Sequence, residues 1–126
     1  VQEATERYAR TGVLVGKSLG TRAVGHLLGH GLETDGAVWL TPIVTDDTLL
    51  RQMVRAGCRS LVIIGTADPF YDEHAVDELM AREDCTVVQV DSADHSLELD
   101  NVMDSLTVLK TVIHHIREFV VSRRVL

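Results

Sequence analysis

A chain of 126 residues, 45% hydrophobic and 25% charged, can bury one real core and reads as a single domain. Its formal net charge of −7 argues against nucleic acid and anionic membrane surfaces as partners, and no apolar run approaches the ~20 residues that span a bilayer. Cys58 and Cys85 have neither metal-ligand spacing nor a disulfide framework, so they read as free thiols, which together with the lack of a signal-peptide pattern points to a cytoplasmic location.

Gln2 to Arg10 is a polar, helix-favouring segment closed by Thr11-Gly12. Val13 to Val15 is wholly apolar, as in a strand buried in a parallel sheet. Leu19 to about His30 follows the helical period through Leu19, Ala23, Val24, Leu27 and Leu28 and is closed by Gly31. Gly25 and Gly29 weaken this helix by roughly 1 kcal/mol each against alanine unless another backbone packs there. Ala37 to Leu40 is a second apolar strand, stopped at Thr41-Pro42. Thr45-Asp46-Asp47 offers a cap for a short helix over Thr48 to Ala56, and Ser60 to Ile64 is the third strand. Asp72 caps a helix to about Arg82, with Tyr71 and Val76 placed as a staple. Thr86 to Val90 is the fourth strand. Asn101 to Val121 is a long helix with an apolar stripe of Val102, Leu106, Leu109, Ile113, Ile116 and Val120. Regular alternation of strand and helix predicts an α/β fold: a four-stranded parallel sheet with helices on both faces.

The stretch from Val13 to Gly20 carries the chemistry. Three apolar residues run into Gly16-Lys17-Ser18-Leu19-Gly20, a Gly-x-Ser-x-Gly pattern between a strand and a helix. A serine at so sharp a turn sits in a strained backbone conformation that costs on the order of 1–3 kcal/mol. Gly16 and Gly20, lacking Cβ atoms, would let the helix approach the strand. The helix N-terminus favours negative charge beside Ser18, and the Leu19 backbone N–H is one candidate oxyanion donor. Alone, the pattern also suits an inert strand-to-helix connection. Its weight comes from two residues further along the chain. Ligands of parallel sheets bind beyond the carboxyl ends of the strands. Ser18 follows the first strand, Asp68 the third and His95 the fourth, so all three would converge at one end in the order Ser, Asp, His.

On these residues the chain resembles the α/β-hydrolase superfamily, in particular its small members without a lid domain. Gly16 to Gly20 matches the nucleophile elbow, Gly65-Thr66-Ala67-Asp68-Pro69 the acid loop, and Ala93-Asp94-His95-Ser96 the histidine loop. The likeness covers the whole chain but only the second half of the usual fold. It implies a Ser18-His95-Asp68 triad that cleaves an ester, thioester or similar acyl bond of a small molecule through an acyl-enzyme, with no cofactor and no metal. The second oxyanion donor of the family comes from an earlier strand's loop, for which no residue here is a match. The resemblance leaves two classes of function. One is a serine hydrolase with an open site, because only Pro42 to Asp47 separates the second strand from the next helix. The other is a non-catalytic binding module, or an inactive fragment of a longer hydrolase. Opening on Val1 rather than methionine, the chain reads as a piece of something longer. Without earlier strands, Val13 to Val15 would expose an unpaired edge; either such strands cover it or it pairs with a second copy as a homodimer.

The remaining polar residues have plainer readings. Asp72 serves better as a cap than as the triad acid, and Asp94 is solvated or ties the loop. His26 and His30 lie four apart on a helix but lack a third metal ligand. His74 belongs to a helix start, and the adjacent His114 and His115 face different sides of the long helix. Lys17 could contact substrate or pair with an acid. Met53, Met80 and Met103 fit helix-core positions, and Trp39 fits the core.

Overall fold

The computed structural model describes residues 12–122. The expected helix over Gln2 to Arg10 lies outside the described residues. In chain order the elements are β1 (Val13–Lys17), α1 (Leu19–Gly29), β2 (Gly36–Leu40), α2 (Asp47–Arg55), β3 (Arg59–Gly65), α3 (Glu73–Met80), β4 (Cys85–Val90) and α4 (Val102–Ser122). All pairings are parallel, and the sheet order follows the chain, β1-β2-β3-β4. β1 lies in register with β2 from Val13 opposite Gly36 to Lys17 opposite Leu40.

Alternation along the strands divides the core in two. On one face Ala37, Trp39, Val62 and Ile64 pack with Val24 of α1, Leu49, Leu50 and Met53 of α2, and Val76 and Leu79 of α3. On the other face Val38, Leu61 and Ile63 pack with Val108 and Val112 of α4. Helices therefore cover both faces, three on one and one on the other. Caps define the short helices as the sequence implies. The Asp46 side chain accepts from the Leu49 N–H and the Asp72 side chain from the His74 N–H. Trp39 is fully buried and its indole N–H donates to Ser60 Oγ at 3.1 Å.

Glycine explains two close approaches. A Cβ on Gly25 would stand 2.5 Å from Gln52 Oε1 and 2.9 Å from Leu49 Cδ1, so side chains of α2, not another backbone, pack against it. A Cβ on Gly16 would stand 2.7 Å from the Gly20 carbonyl oxygen, whereas one on Gly20 meets nothing within 4 Å. Of the two motif glycines, only Gly16 is demanded by local packing.

Two expectations need correction. The predicted stripe of α4 is largely in solvent: Val102 is 74% exposed, Leu106 48%, Leu109 53% and Ile113 57%. The buried side is Val108 and Val112, with Ile116 and Phe119 packed partly against the sheet. This helix carries two apolar stripes roughly 100° apart, and periodicity alone does not say which one meets the sheet. Phe119 decides the rotation. Its ring fills the space where a Gly36 Cβ would be 2.9 Å away, the Arg59 guanidinium lies 4.0 Å over the ring, and Arg59 Nη1 donates to the Phe119 carbonyl at 2.7 Å. Of the methionines, Met53 is buried but Met80 and Met103 are exposed. Met80 closes α3, where its sulfur accepts from Gln89 Nε2 of β4 at 3.8 Å.

Candidate active site

Loops at the carboxyl ends of three parallel strands bring Ser18, Asp68 and His95 together. Ser18 follows β1 directly, with φ 53° and ψ −116°. Three contacts hold this strained turn. The Ser18 N–H donates to the Leu40 carbonyl at 2.9 Å, locking the elbow to β2. The Thr21 N–H and the Thr21 hydroxyl both donate to the Ser18 carbonyl, at 3.0 and 2.5 Å, and Thr21 is fully buried. A serine or threonine three residues past a turn can make this back-bond, a sequence signal that the Gly-x-Ser-x-Gly pattern does not include.

Asp68 is buried after β3. Its Oδ1 accepts from the Phe70 N–H at 2.8 Å, and its Oδ2 lies 2.7 Å from His95 Nδ1. A buried carboxylate without donors would be strongly unfavourable, and here two donors meet it. His95 Nε2 in turn lies 2.7 Å from Ser18 Oγ. An ionised carboxylate only accepts, so Nδ1 carries the imidazole proton. The neutral ring then offers Nε2 as acceptor, and the Ser18 hydroxyl donates to it. The chain of bonds thus runs continuously from hydroxyl to ring to carboxylate.

The histidine loop is fixed from both sides. The Ala67 N–H donates to the Ala93 carbonyl at 3.0 Å, and a Cβ on Gly65 would stand 2.1 Å from that same oxygen. Gly65 therefore lets the acid and histidine loops touch. Asp94 Oδ1 accepts from the N–H groups of Ser96 and Glu98 at 2.9 and 3.0 Å, so Asp94 ties its own loop. The Ser92 N–H donates to Thr66 Oγ1 at 2.8 Å. Among the described residues, the non-glycine positions with positive φ are Ser18, Thr41, Ser92 and Leu97. All four lie in loops at this end of the sheet, where strain is commonly stored for function. The Leu19 N–H opens α1 beside Ser18 and has no backbone acceptor among the described residues.

Other candidates fall elsewhere. Lys17 is exposed at the end of β1. His26 and His30 stack at 4.0 Å on the side of α1, and the ring Nδ1 of His30 donates to the His26 carbonyl at 2.7 Å. His114 and His115 have ring centroids 5.9 Å apart. Among the described residues no three His, Cys, Asp or Glu side chains are grouped to hold a metal ion. A hollow of about 550 Å³ lined by Leu28, Leu32 and Cys58 lies at the amino ends of β2 and β3, away from the serine. Burial pushes the thiols of Cys58 and Cys85 above the ordinary range, with Arg82 opposing the shift in part. Neither thiol is poised as a nucleophile.

Comparison with known proteins bears on the fold and the family. A search of the curated proteins returned no match. Among solved structures, the chain is similar to the esterase domain of a Rhodothermus marinus protein, with a TM-score of 0.57 and 20% identity over 79% of this chain and 57% of that one. It is also similar to a protein of unknown function from Agrobacterium tumefaciens, described as a candidate alpha/beta hydrolase, with a TM-score of 0.54 and 22% identity over 68% of this chain and 41% of that one. The chain thus spans about half the length of these structures, and at such identities the likeness is one of fold. No helix among the described residues is long and apolar enough to cross a membrane. The family model described as alpha/beta hydrolase domain matches residues 1–121. With nearly its whole length under that model, the chain belongs to the alpha/beta hydrolase family.

Proposed function

We propose that this domain is a serine hydrolase acting on a small, accessible ester, thioester or similar acyl bond. The observation that carries the reading is the unbroken chain from Ser18 Oγ through His95 to Asp68, with 2.7 Å at both links. Ser18 Oγ attacks the carbonyl carbon while its proton passes to His95 Nε2. The carbonyl oxygen becomes an oxyanion beside the Leu19 N–H, and the positive end of α1 favours that charge. Collapse of the tetrahedral adduct breaks the bond to the leaving group, which takes the proton from His95. Water then attacks the acyl-enzyme, gives its proton to Nε2, and the acid leaves as Ser18 recovers its proton. Asp68 keeps the ring in the working tautomer and stabilises the imidazolium. The short connection after β2 leaves little to bury a long chain, which favours small substrates. Similarity to a structure named as an esterase domain supports an ester as the bond cleaved.

A second reading, a binding module without turnover, is favoured by one observation: a second oxyanion donor is unassigned among the described residues. A missing donor typically costs about 10²–10³ in turnover. A fluorophosphonate probe separates the two. We expect stoichiometric labelling of the wild type on Ser18, seen as a mass shift in the peptide, and none in Ser18→Ala. Asp68→Asn should remain folded and react up to ~10⁴-fold more slowly, as loss of the tautomer-setting carboxylate does in comparable triads. Equal labelling of wild type and Ser18→Ala would remove Ser18 from the role.

A further inference from the structure

We infer that Phe70 is a positioning residue of this site, holding both the acid and the ring that join Ser18 to it. The inference rests on the hydrolase reading for its kinetic part only. Phe70 contacts the relay twice. Its N–H donates to Asp68 Oδ1 at 2.8 Å, leaving Oδ2 as the oxygen that faces His95. Its ring meets the His95 ring with centroids 5.1 Å apart and an interplanar angle of 67°. That is the edge-on arrangement aromatic pairs favour.

Three features make this more than incidental packing. The His95 side chain is 31% exposed, so without a wall on one side water and alternative rotamers compete for it. Phe70 itself is anchored, partly buried against the hydrophobic core rather than lying free on the surface. The turn carrying it is also closed: the Tyr71 N–H donates to the Asp68 carbonyl at 2.9 Å, and the Asp68 N–H to the Gly65 carbonyl at 3.2 Å. Acid, backbone donor and aromatic wall therefore move as one rigid piece, and the histidine leans on it. The two hydrogen bonds of His95 fix the ring's ends; Phe70 fixes the plane between them. Proton transfer needs Nε2 to stay on the serine while Nδ1 stays on the carboxylate, and misplacement of ~1 Å in such a group costs about 10²-fold in rate.

The test uses Phe70→Leu and Phe70→Met, which keep the backbone N–H and apolar bulk but lose the ring, and Phe70→Tyr, which restores the ring. Two readouts are taken: steady-state hydrolysis of p-nitrophenyl acetate, and the far-downfield proton NMR signal of the His95 Nδ1–H. We expect kcat to fall about 10–100-fold in the Leu and Met variants, with KM changing less than twofold. The Nδ1 signal should broaden or vanish in those variants, and both properties should return in Phe70→Tyr. Wild-type kcat and an unchanged signal in folded Phe70→Leu or Phe70→Met would overturn the inference, as would absence of the signal from the wild type. If one ringless variant does not fold, the other decides; if neither folds while Phe70→Tyr does, Phe70 is a folding residue and the inference fails. Should the wild type neither hydrolyse the ester nor take the fluorophosphonate, the hydrolase reading fails, and the NMR comparison still judges Phe70 separately.

Discussion

Ser18 carries backbone strain as well as the hydroxyl of the proposed nucleophile, and the strain is measurable apart from the proposed chemistry. Its φ of 53° with ψ of −116° is a conformation that glycine adopts readily and side chains do not. Ser18→Ala and Ser18→Gly both lose the hydroxyl and its bond to His95, so that loss cancels between them. What remains is relief of roughly 1–3 kcal/mol of strain in glycine, less about 0.5–1 kcal/mol for its freer unfolded chain. Ser18→Gly should therefore be the more stable of the two by about 1 kcal/mol in urea unfolding, with both inert to acyl probes. A less stable glycine variant would mean the turn is unstrained. The cysteines give a second prediction at this scale. Burial raises both thiols in the folded state, so above an ordinary thiol value of about 8.5 the unfolded chain loses protons that the folded chain retains. The unfolded state then binds fewer protons, and stability falls as pH rises through that window. We expect the urea midpoint to drop more steeply above pH ~8.5 in the wild type than in a Cys58→Ala/Cys85→Ala double variant. Parallel profiles would contradict the assignment.

At the scale of elements, what was legible in the sequence was whatever depends on local pattern. The apolar runs, the Asp46 and Asp72 caps and the strand-end positions of Ser18, Asp68 and His95 needed no knowledge of tertiary contacts. What was not legible depends on which surfaces meet. The rotation of α4 turns on Phe119 finding Gly36, 83 positions earlier in the chain, and no helical period encodes that encounter. The contact of Phe70 with His95 is likewise hidden, because proximity of the acid and histidine loops follows from β3 and β4 being neighbours. Gly65 lies between these cases: it stands in the acid-loop motif, but its reason is the Ala93 carbonyl 2.1 Å from where a Cβ would be. Both atoms are backbone or backbone-attached, so neither can swing aside. Gly65→Ala should destabilise the fold by about 1–3 kcal/mol, as overpacking does. It should also slow acyl-probe labelling by moving His95 off Ser18. A stable, fully reactive Gly65→Ala would show that the two loops are not rigidly coupled.

Among the described residues the sheet is lopsided in a way that no single element reveals. β1 is at the edge of the sheet and, among the described residues, has β2 as its strand neighbour on one side and none on the other. Val13 packs on the α4 face, and Val15, two residues on and thus on the same face, is 55% exposed. The uncovered row of α4, from Val102 through Leu106 and Leu109 to Ile113, is the other half of this surface. Handedness places it. Parallel βαβ crossovers are right-handed, and α4 lies on the face opposite α1, α2 and α3 with its chain running against the strands. A right-handed helix so oriented, seated on Val108 and Val112, turns the residues about 100° onward toward β1 rather than β4. The open edge, Val15 and the α4 row therefore lie toward one side of the sheet, and we expect them to act together in association. The strand is longer than its apolar core suggests and ends in exposed Lys17, a charge that blunts the edge at its carboxyl end only. We expect the 126-residue chain by itself to associate, scattering light well above its 13.9 kDa mass. Val15→Lys combined with Leu109→Lys, one charge on each half of the surface, should shift it toward monomer while leaving acyl-probe labelling at Ser18 intact. A wild-type chain that is monomeric at high concentration, with the Val13 to Val15 amides exchanging freely with solvent, would show that the surface is tolerated bare.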